Sequence, residues 1–292
     1  VAEALLMRNL GPTRPVAALS DNSIAMGLMT LGAMHAGVPF AAISTAYAAA
    51  SSDGTKLRQV FGLLKPGMVF VSDETTAAAA LDKAGASGLE LVCAGDAVSK
   101  ATAFSSLCKT LPTERAARAF ADVGPDTVAK ILFTSGSTGT PKGVINTHRM
   151  MCSNMQALCQ TLPFHFESAP TVVDWLPWNH TAGGNSQFNK TLRFGGTLYI
   201  DEGKPTPEHF HTTVRNLSSV RSTAYTNVPK GYELLLAEFD RNPEFRQHFF
   251  ADLEYMGFAG AAMPRHHFER LRQLAREIRG DRPNHVELLR RF

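Results

Sequence analysis

Short apolar runs alternate with longer amphipathic stretches along most of this chain. Ala2 to Leu10 reads as helical, with Glu3 and Arg8 on its polar side. Val16 to Leu19 reads as a buried strand. Ser20 and Asp21 then offer N-caps for a helix from Ile24 to about Ala36, which Gly37-Val38-Pro39 stops. A strand from Val38 to Ile43 follows, then a helix from Lys56 to Lys65 and a strand from Met68 to Val71. An alanine-rich helix from Thr76 to Ala86 leads to a strand from Leu89 to Cys93. Ala94 to about Asp126 is less regular, with one helix near Glu114 to Phe120. Ala129 to Phe133 is a strand, extended character resumes at Val144 to Asn146, and Thr147 can cap a helix from His148 to about Gln160. Further strands are expected at Val172 to Trp175, Thr197 to Ile200, Val220 to Asn227 and Leu253 to Phe258, before a basic helix from Pro264 to Arg279. This rhythm argues an α/β fold with mostly parallel sheet.

One window needs separate treatment. No charged side chain occurs between Asp21 and Asp53, which on hydropathy alone invites a membrane span. Gly27, Gly32, Gly37 and Pro39 divide the window, and no Lys or Arg anchors it. A helix apolar all round beside an apolar strand is also what the centre of a covered parallel sheet requires, so no membrane span is expected. With 292 residues, 44% of them apolar and 19% charged, the chain can bury a large core in one big domain or two. The net charge of +3 does not imply a nucleic-acid partner. Arginines outnumber carboxylates from Arg265 onward, which reads as a solvated helix face. Cys93, Cys108, Cys152 and Cys159 form no metal or disulfide frame and fit reduced thiols of a cytoplasmic protein. No metal-ligand set is evident either.

The chemistry concentrates at Thr134-Ser135-Gly136-Ser137-Thr138-Gly139-Thr140-Pro141-Lys142-Gly143. Three glycines, five hydroxyls, one proline and one lysine, with no acid, make a phosphate cradle. Glycine lets backbone N–H groups approach an anion, hydroxyls add donors, and Lys142 adds charge. Extended residues on both sides place it as a turn between two strands. The P-loop pattern of a nucleotide triphosphatase fails here, because Pro141 stands where its second glycine belongs and Gly143 follows the lysine. A flexible Gly/Ser linker would need neither flanking strands nor Pro-Lys-Gly.

Ligands of open α/β sheets bind beyond the carboxyl ends of strands, and two more such loops stand out. In Asp174-Trp175-Leu176-Pro177-Trp178-Asn179-His180-Thr181-Ala182-Gly183-Gly184, a histidine precedes a Gly-Gly helix entry. In Gly257-Phe258-Ala259-Gly260-Ala261-Ala262-Met263-Pro264, small residues leave a flat slot for a purine or aryl ring. A satisfied core histidine and an ordinary tight turn account for these two loops about as well.

Together the three loops resemble the adenylate-forming superfamily of acyl-CoA synthetases, peptide-synthetase adenylation domains and luciferases. Ile131 to Gly143 is similar to its phosphate signature, Leu176-Pro177-Trp178-Asn179-His180 to its Leu-Pro-x-x-His segment, and Gly260-Ala261-Ala262-Met263 to the segment flanking adenine and acyl group. Leu31 to Pro39 looks like a structural segment near the start of the large domain. The resemblance implies ATP-dependent activation of a small-molecule carboxylic acid to an acyl adenylate and then its CoA thioester, with ATP, CoA and Mg2+ as partners. It implies that Thr134, Ser135, Gly136, Ser137, Thr138, Gly139 and Lys142 hold phosphate, that His180 borders the carboxylate, and that Gly260, Ala261 and Ala262 flank the adenine. Within the superfamily the segments look most like feruloyl-CoA synthetases, which act on hydroxycinnamates; Trp175, Trp178, Phe188 and Tyr225 would line the planar pocket. Fatty-acyl adenylation and a non-catalytic nucleotide-binding remnant remain the alternatives.

The threonine and glutamate segment that the superfamily uses for ATP and magnesium, its ribose aspartate and its C-terminal catalytic lysine are not matched in these residues. Residues 1–280 therefore read as a partial adenylation domain with a trimmed start, and residues 281–292 as a divergent or aberrant tail. On that reading the chain alone turns over weakly or not at all.

Overall fold

Strand β1 (Val16–Leu19) is buried at all four positions and carries a parallel neighbour on each side, which places it at the heart of a sheet. The computed structural model describes residues 1–49, 53–96, 98–135, 139–161, 168–280 and 287–290. Two compact units emerge, residues 1–153 with 177–181 and residues 154–176 with 182–292.

In the first unit α1 spans Ala2–Leu6 and precedes β1. There follow α2 (Ile24–His35), β2 (Phe40–Ala42), α3 (Thr55–Leu64), β3 (Met68–Val71), α4 (Glu74–Lys83) and β4 (Glu90–Cys93). The irregular stretch holds β5 (Thr102–Ala103), α5 (Phe104–Cys108) and α6 (Glu114–Ala121); β6 (Val128–Ser135), β7 (Pro141–Thr147) and α7 (His148–Thr161) come next. The sheet order is β5-β4-β3-β1-β2-β6-β7, parallel throughout except for the β6–β7 hairpin. Leu57, Val60, Phe61 and Leu64 from α3 pack with Ala77, Ala80 and Leu81 from α4 against alternate residues of β1, β2 and β3. Each such fully buried large side chain contributes roughly 1.5–3 kcal/mol.

The cap of α2 differs from expectation. Ser23 supplies it, its hydroxyl accepting from the Met26 N–H at 3.0 Å. Ser20 is engaged instead with Ser72 at the end of β3, their hydroxyls 2.7 Å apart. Among the described residues no helix is long and apolar enough to cross a membrane. The apolar window resolves into α2 and β2.

The second unit holds β8 (Thr171–Asp174), a π-helical turn (Ala182–Gln187) running into α8 (Phe188–Arg193), β9 (Thr197–Ile200) and α9 (Phe210–Ser219). After these come β10 (Ala224–Asn227), α10 (Pro229–Arg241), α11 (Pro243–Phe250), β11 (Tyr255–Phe258), α12 (Arg265–Arg279) and β12 (Glu287–Arg290). Its five strands run parallel in the order β12-β11-β10-β8-β9. One face packs on α9, α10, α11 and α12 through Tyr232, Leu235, Phe239, Phe249, Phe250 and Leu271. The charged face of α12 is laced by Arg265–Glu269 at 2.7 Å and reaches α10 through Arg270–Asp240 at 3.7 Å. Residues 287–290 pair in parallel with β11, Tyr255 opposite Glu287.

Candidate functional site

The glycine-rich stretch read as a phosphate cradle joins β6 to β7 in an antiparallel hairpin, as its flanking strands predict. Thr134 pairs with Lys142 and Ser135 with Pro141, closing the strands around the turn. Gly136, Ser137 and Thr138 lie outside the described residues. Gly139 takes φ +81°, a left-handed conformation that side-chain-bearing residues rarely adopt. At Gly143 an added Cβ would come within 3.2 Å of Ile131 Cγ2 and 3.5 Å of the Phe133 ring, so glycine allows the close packing of β7 on β6. Residues directly opposite in an antiparallel pair share a face. Thr134 and Lys142, both exposed, therefore present hydroxyl and ammonium on one side of the hairpin tip. Such a pairing suits an anion.

Four residues before Thr134, on that same face of β6, stands a lysine that pattern reading passed over. Lys130 is only 4% exposed, and burial pushes its ammonium down to about 7. Its signal was present in the sequence, since a single charge interrupts the run Ala129-Lys130-Ile131-Leu132-Phe133.

His180 belongs to the same unit as the hairpin. Trp178 is buried, and its backbone N–H donates to Asn22 Oδ1 at 2.9 Å, which anchors the segment. The His180 N–H donates to the Pro177 carbonyl at 3.0 Å, making a tight turn that leaves the imidazole exposed.

Gly260, Ala261 and Ala262 belong to the second unit and are exposed just beyond β11. Gly260 adopts φ +87°, and a Cβ there would stand 3.6 Å from Val228 Cγ1. These small side chains therefore lie at the surface of that unit.

Around the ends of β8, β10 and β11 the second unit gathers polar groups on both faces of the sheet. On the face toward α9 and α10, Trp175 Nε1 donates to Asn227 Oδ1 at 3.0 Å, Val228 N–H donates to the same oxygen at 2.8 Å, and Asn227 Nδ2 donates to Tyr225 Oη at 2.6 Å. Gly231 has no side chain because the Asn227 carboxamide fills the space a Cβ would take. Tyr225 is fully buried and meets Tyr232 and Phe249 edge to face. It is a core residue of the second unit, which corrects its placement in a planar pocket; aromatic side chains supply apolar bulk wherever they lie. Asp201 completes this side, accepting from Gly203 N–H at 2.9 Å, Asn216 Nδ2 at 2.9 Å and Thr213 Oγ1 at 2.6 Å.

The opposite face behaves differently. Val172, Ala224 and Tyr255 cluster there, so their neighbours two residues on, Asp174, Thr226 and Gly257, share that face. Asp174 is 2% exposed, and burial pushes its carboxyl up to about 7. Lys190 charge, the Leu176 N–H and the Gln187 amide act against that rise, while Asp201 adds to it. Gln187 approaches Asp174 without a hydrogen bond of ordinary geometry, and neither carboxylate oxygen has such a bond. Lys190 Nζ lies 5.6 Å from the Tyr255 ring centroid. These groups were not legible as a set in the sequence.

The glycine-rich hairpin ahead of a parallel α/β sheet end defines an adenylate-forming type of fold. The chain belongs to the AMP-binding enzyme family, whose profile matches residues 1–280. It is 31% identical over 113 residues to the peroxisomal long chain acyl-CoA synthetase 6 of Arabidopsis thaliana, a stretch covering 39% of this chain and 15% of that protein. A benzoate CoA ligase from Burkholderia xenovorans superimposes with TM-score 0.75 at 20% identity, over 99% of this chain and 52% of the ligase. A malonyl-CoA ligase in complex with methylmalonyl-CoA and AMP superimposes with TM-score 0.70 at 20% identity, over 100% of this chain and 54% of that one. The chain thus spans about half the length of these solved relatives.

Proposed function

We propose that this chain takes part in ATP-dependent activation of a carboxylic acid, of the aromatic hydroxycinnamate type such as ferulate. The acid's carboxylate attacks the α-phosphorus of ATP and pyrophosphate leaves, giving an acyl adenylate. The thiol of CoA then attacks the acyl carbon, AMP departs, and the thiol proton passes to solvent. A carboxylate is ionised at neutral pH, so the first step asks for position and charge stabilisation more than for a base.

The observation that carries this reading is the β6–β7 hairpin, with the Lys142 ammonium directly across from Thr134 at its tip. Lys142 would neutralise phosphate oxygens, while Thr134, Ser135, Ser137 and Thr138 would donate hydroxyls and Gly136 and Gly139 backbone N–H. His180, exposed on its tight turn, would border the carboxylate, and Gly260, Ala261 and Ala262 would flank the adenine. Among the described residues no group of three His, Cys, Asp or Glu could hold a metal ion. Mg2+ would therefore accompany the nucleotide phosphates. Family membership and the acyl-CoA synthetase relative support the reaction class.

The same relative favours a second reading, fatty-acyl activation. Thermal melts of the chain with ATP, adding ferulate or a fatty acid in turn, separate the two. Ferulate is expected to raise the midpoint further than the fatty acid. The reverse order transfers the assignment to fatty acids, and no response to any acid removes it.

A further inference from the structure

Strand β1 ends where the connections of its sheet diverge. From β1 the chain goes on to β2 on one side, and from β3 it goes on to β4 on the other. The carboxyl ends of two such strands border a crevice, and loops there carry the ligands of open α/β sheets. The residues after β1 are fixed at that place one by one. The Ser20 and Ser72 hydroxyls lie 2.7 Å apart, the Asp21 N–H donates to Ser72 Oγ at 3.1 Å, and Ser23 caps α2 through the Met26 N–H. Asn22 stands between these pinned neighbours. Its Oδ1 accepts the Trp178 N–H at 2.9 Å, across 156 residues of sequence.

That bond lands on the turn that carries His180. Pro177 opens the turn with a fixed φ, and the His180 N–H closes it on the Pro177 carbonyl at 3.0 Å. Trp178 is the second residue of the turn, with its side chain buried at 6% exposure. The turn's own hydrogen bond joins its first and fourth residues and leaves the N–H of the second as a handle for a neighbour. Asn22, residues 177–181 and the β6–β7 hairpin all belong to one unit. Register sets the scale between them. Val16, Phe40 and Lys130 form one row across β1, β2 and β6. Four residues on, Ser20 stands level with Thr134, two strands away or roughly 10 Å. Asn22 thus holds the histidine-bearing turn at the sheet edge where β6 runs into the hairpin.

We propose that Asn22 is the positioning residue of His180: it fixes the turn through the Trp178 N–H and so sets where the imidazole meets the acid's carboxylate. The inference rests on the acid-activation reading and adds the residue that places its histidine. A carboxylate must reach phosphorus within a narrow range of distance and direction, so a small shift of a group beside it carries a large penalty. A carboxamide suits the task, because its oxygen accepts the N–H without adding a charge beside the imidazole.

The test uses the whole chain as wild type, as Asn22→Leu, which keeps the size and removes the acceptor, and as Asn22→Asp, which keeps an acceptor oxygen. Amide hydrogen exchange followed by NMR reads the turn without any substrate. The His180 amide is expected to exchange about tenfold faster or more in Asn22→Leu, and near the wild-type rate in Asn22→Asp. The Ile43 amide, bonded to the Ala18 carbonyl in the sheet, should be unchanged in both. Calorimetric titration with ferulate in the presence of ATP reads the consequence. Asn22→Leu is expected to weaken ferulate by about tenfold and to leave ATP affinity unchanged; in a His180→Ala background the same change should have no further effect. Equal His180 exchange in wild type and Asn22→Leu overturns the proposal. So do ferulate losses at Asn22 and His180 that simply add, or exchange at Ile43 that rises with that at His180. Ferulate binding that ignores Asn22→Leu refutes the positioning role alone, whereas a wild-type chain that binds no acid refutes the activation reading and this role with it.

Discussion

The two faces of the second unit's sheet bury polar side chains to the same degree and treat them in opposite ways. Toward α9 and α10, Asp201 accepts three hydrogen bonds and Asn227 links Trp175, Val228 and Tyr225. Toward the π-helical turn, Asp174, Gln187 and Thr226 are as deeply buried and lack such partners. Burial alone does not tell a closed hydrogen-bond network from an open one; the donor and acceptor accounting does. A closed network rigidifies the strand ends, whereas Asp174 is balanced chiefly by the nearby Lys190 charge.

The comparison breaks most readily at Asp201. Asp201→Ala strands two buried donors and the half-buried Asn216 amide and is expected to cost about 3–5 kcal/mol, read as a lower midpoint in urea. A loss under 1 kcal/mol would mean that the network is not the scaffold described. Asp174 comes next. Its folded carboxyl, near 7, binds a proton more tightly than an ordinary aspartate at 3.8. Stability contributed by this group is therefore full below about pH 4 and is lost as pH rises toward 7. Asp174→Asn is expected to stabilise the chain at pH 8 by on the order of 3 kcal/mol and to change little at pH 4. Equal effects at both pH values would show that burial is not acting on this carboxyl. The smallest effect belongs to Gln187→Leu, which removes a buried amide whose approach to Asp174 falls short of an ordinary hydrogen bond and is expected to change stability by no more than about 1–2 kcal/mol, in the stabilising direction. A loss as large as that at Asp201 would erase the distinction between the faces.

Lys130 gives the first unit a slope of opposite sign. Its ammonium, pushed down to about 7 from 10.5, leaves the folded chain binding fewer protons than the unfolded one between those values. Its contribution therefore rises with pH over that window.

Local chemistry was legible and tertiary pairing was not. The hairpin could be read because a phosphate cradle is written in consecutive residues between two extended runs, and β1, β3 and β9 could be read because their apolar runs end at turn residues. Ser20, Asp21 and Ser23 are equivalent as caps until Ser72 engages Ser20 across the sheet. Tyr225 could be placed in a pocket or a core, since an aromatic side chain suits either; the answer came from Tyr232 and Phe249. The open polar face depends on the pairing of β10 with β8 and β11 and on a π-helical turn. None of these leaves a periodic signal in the sequence.

The most direct test of nucleotide binding at the hairpin is calorimetric titration of ATP into the wild-type chain and into Lys142→Ala. Lys142 is exposed and stands opposite Thr134 in the hairpin, so the variant should fold normally. Saturable ATP binding by wild type, weakened about tenfold to a hundredfold in Lys142→Ala, is the expected result. ATP binding of equal strength in both chains would contradict it.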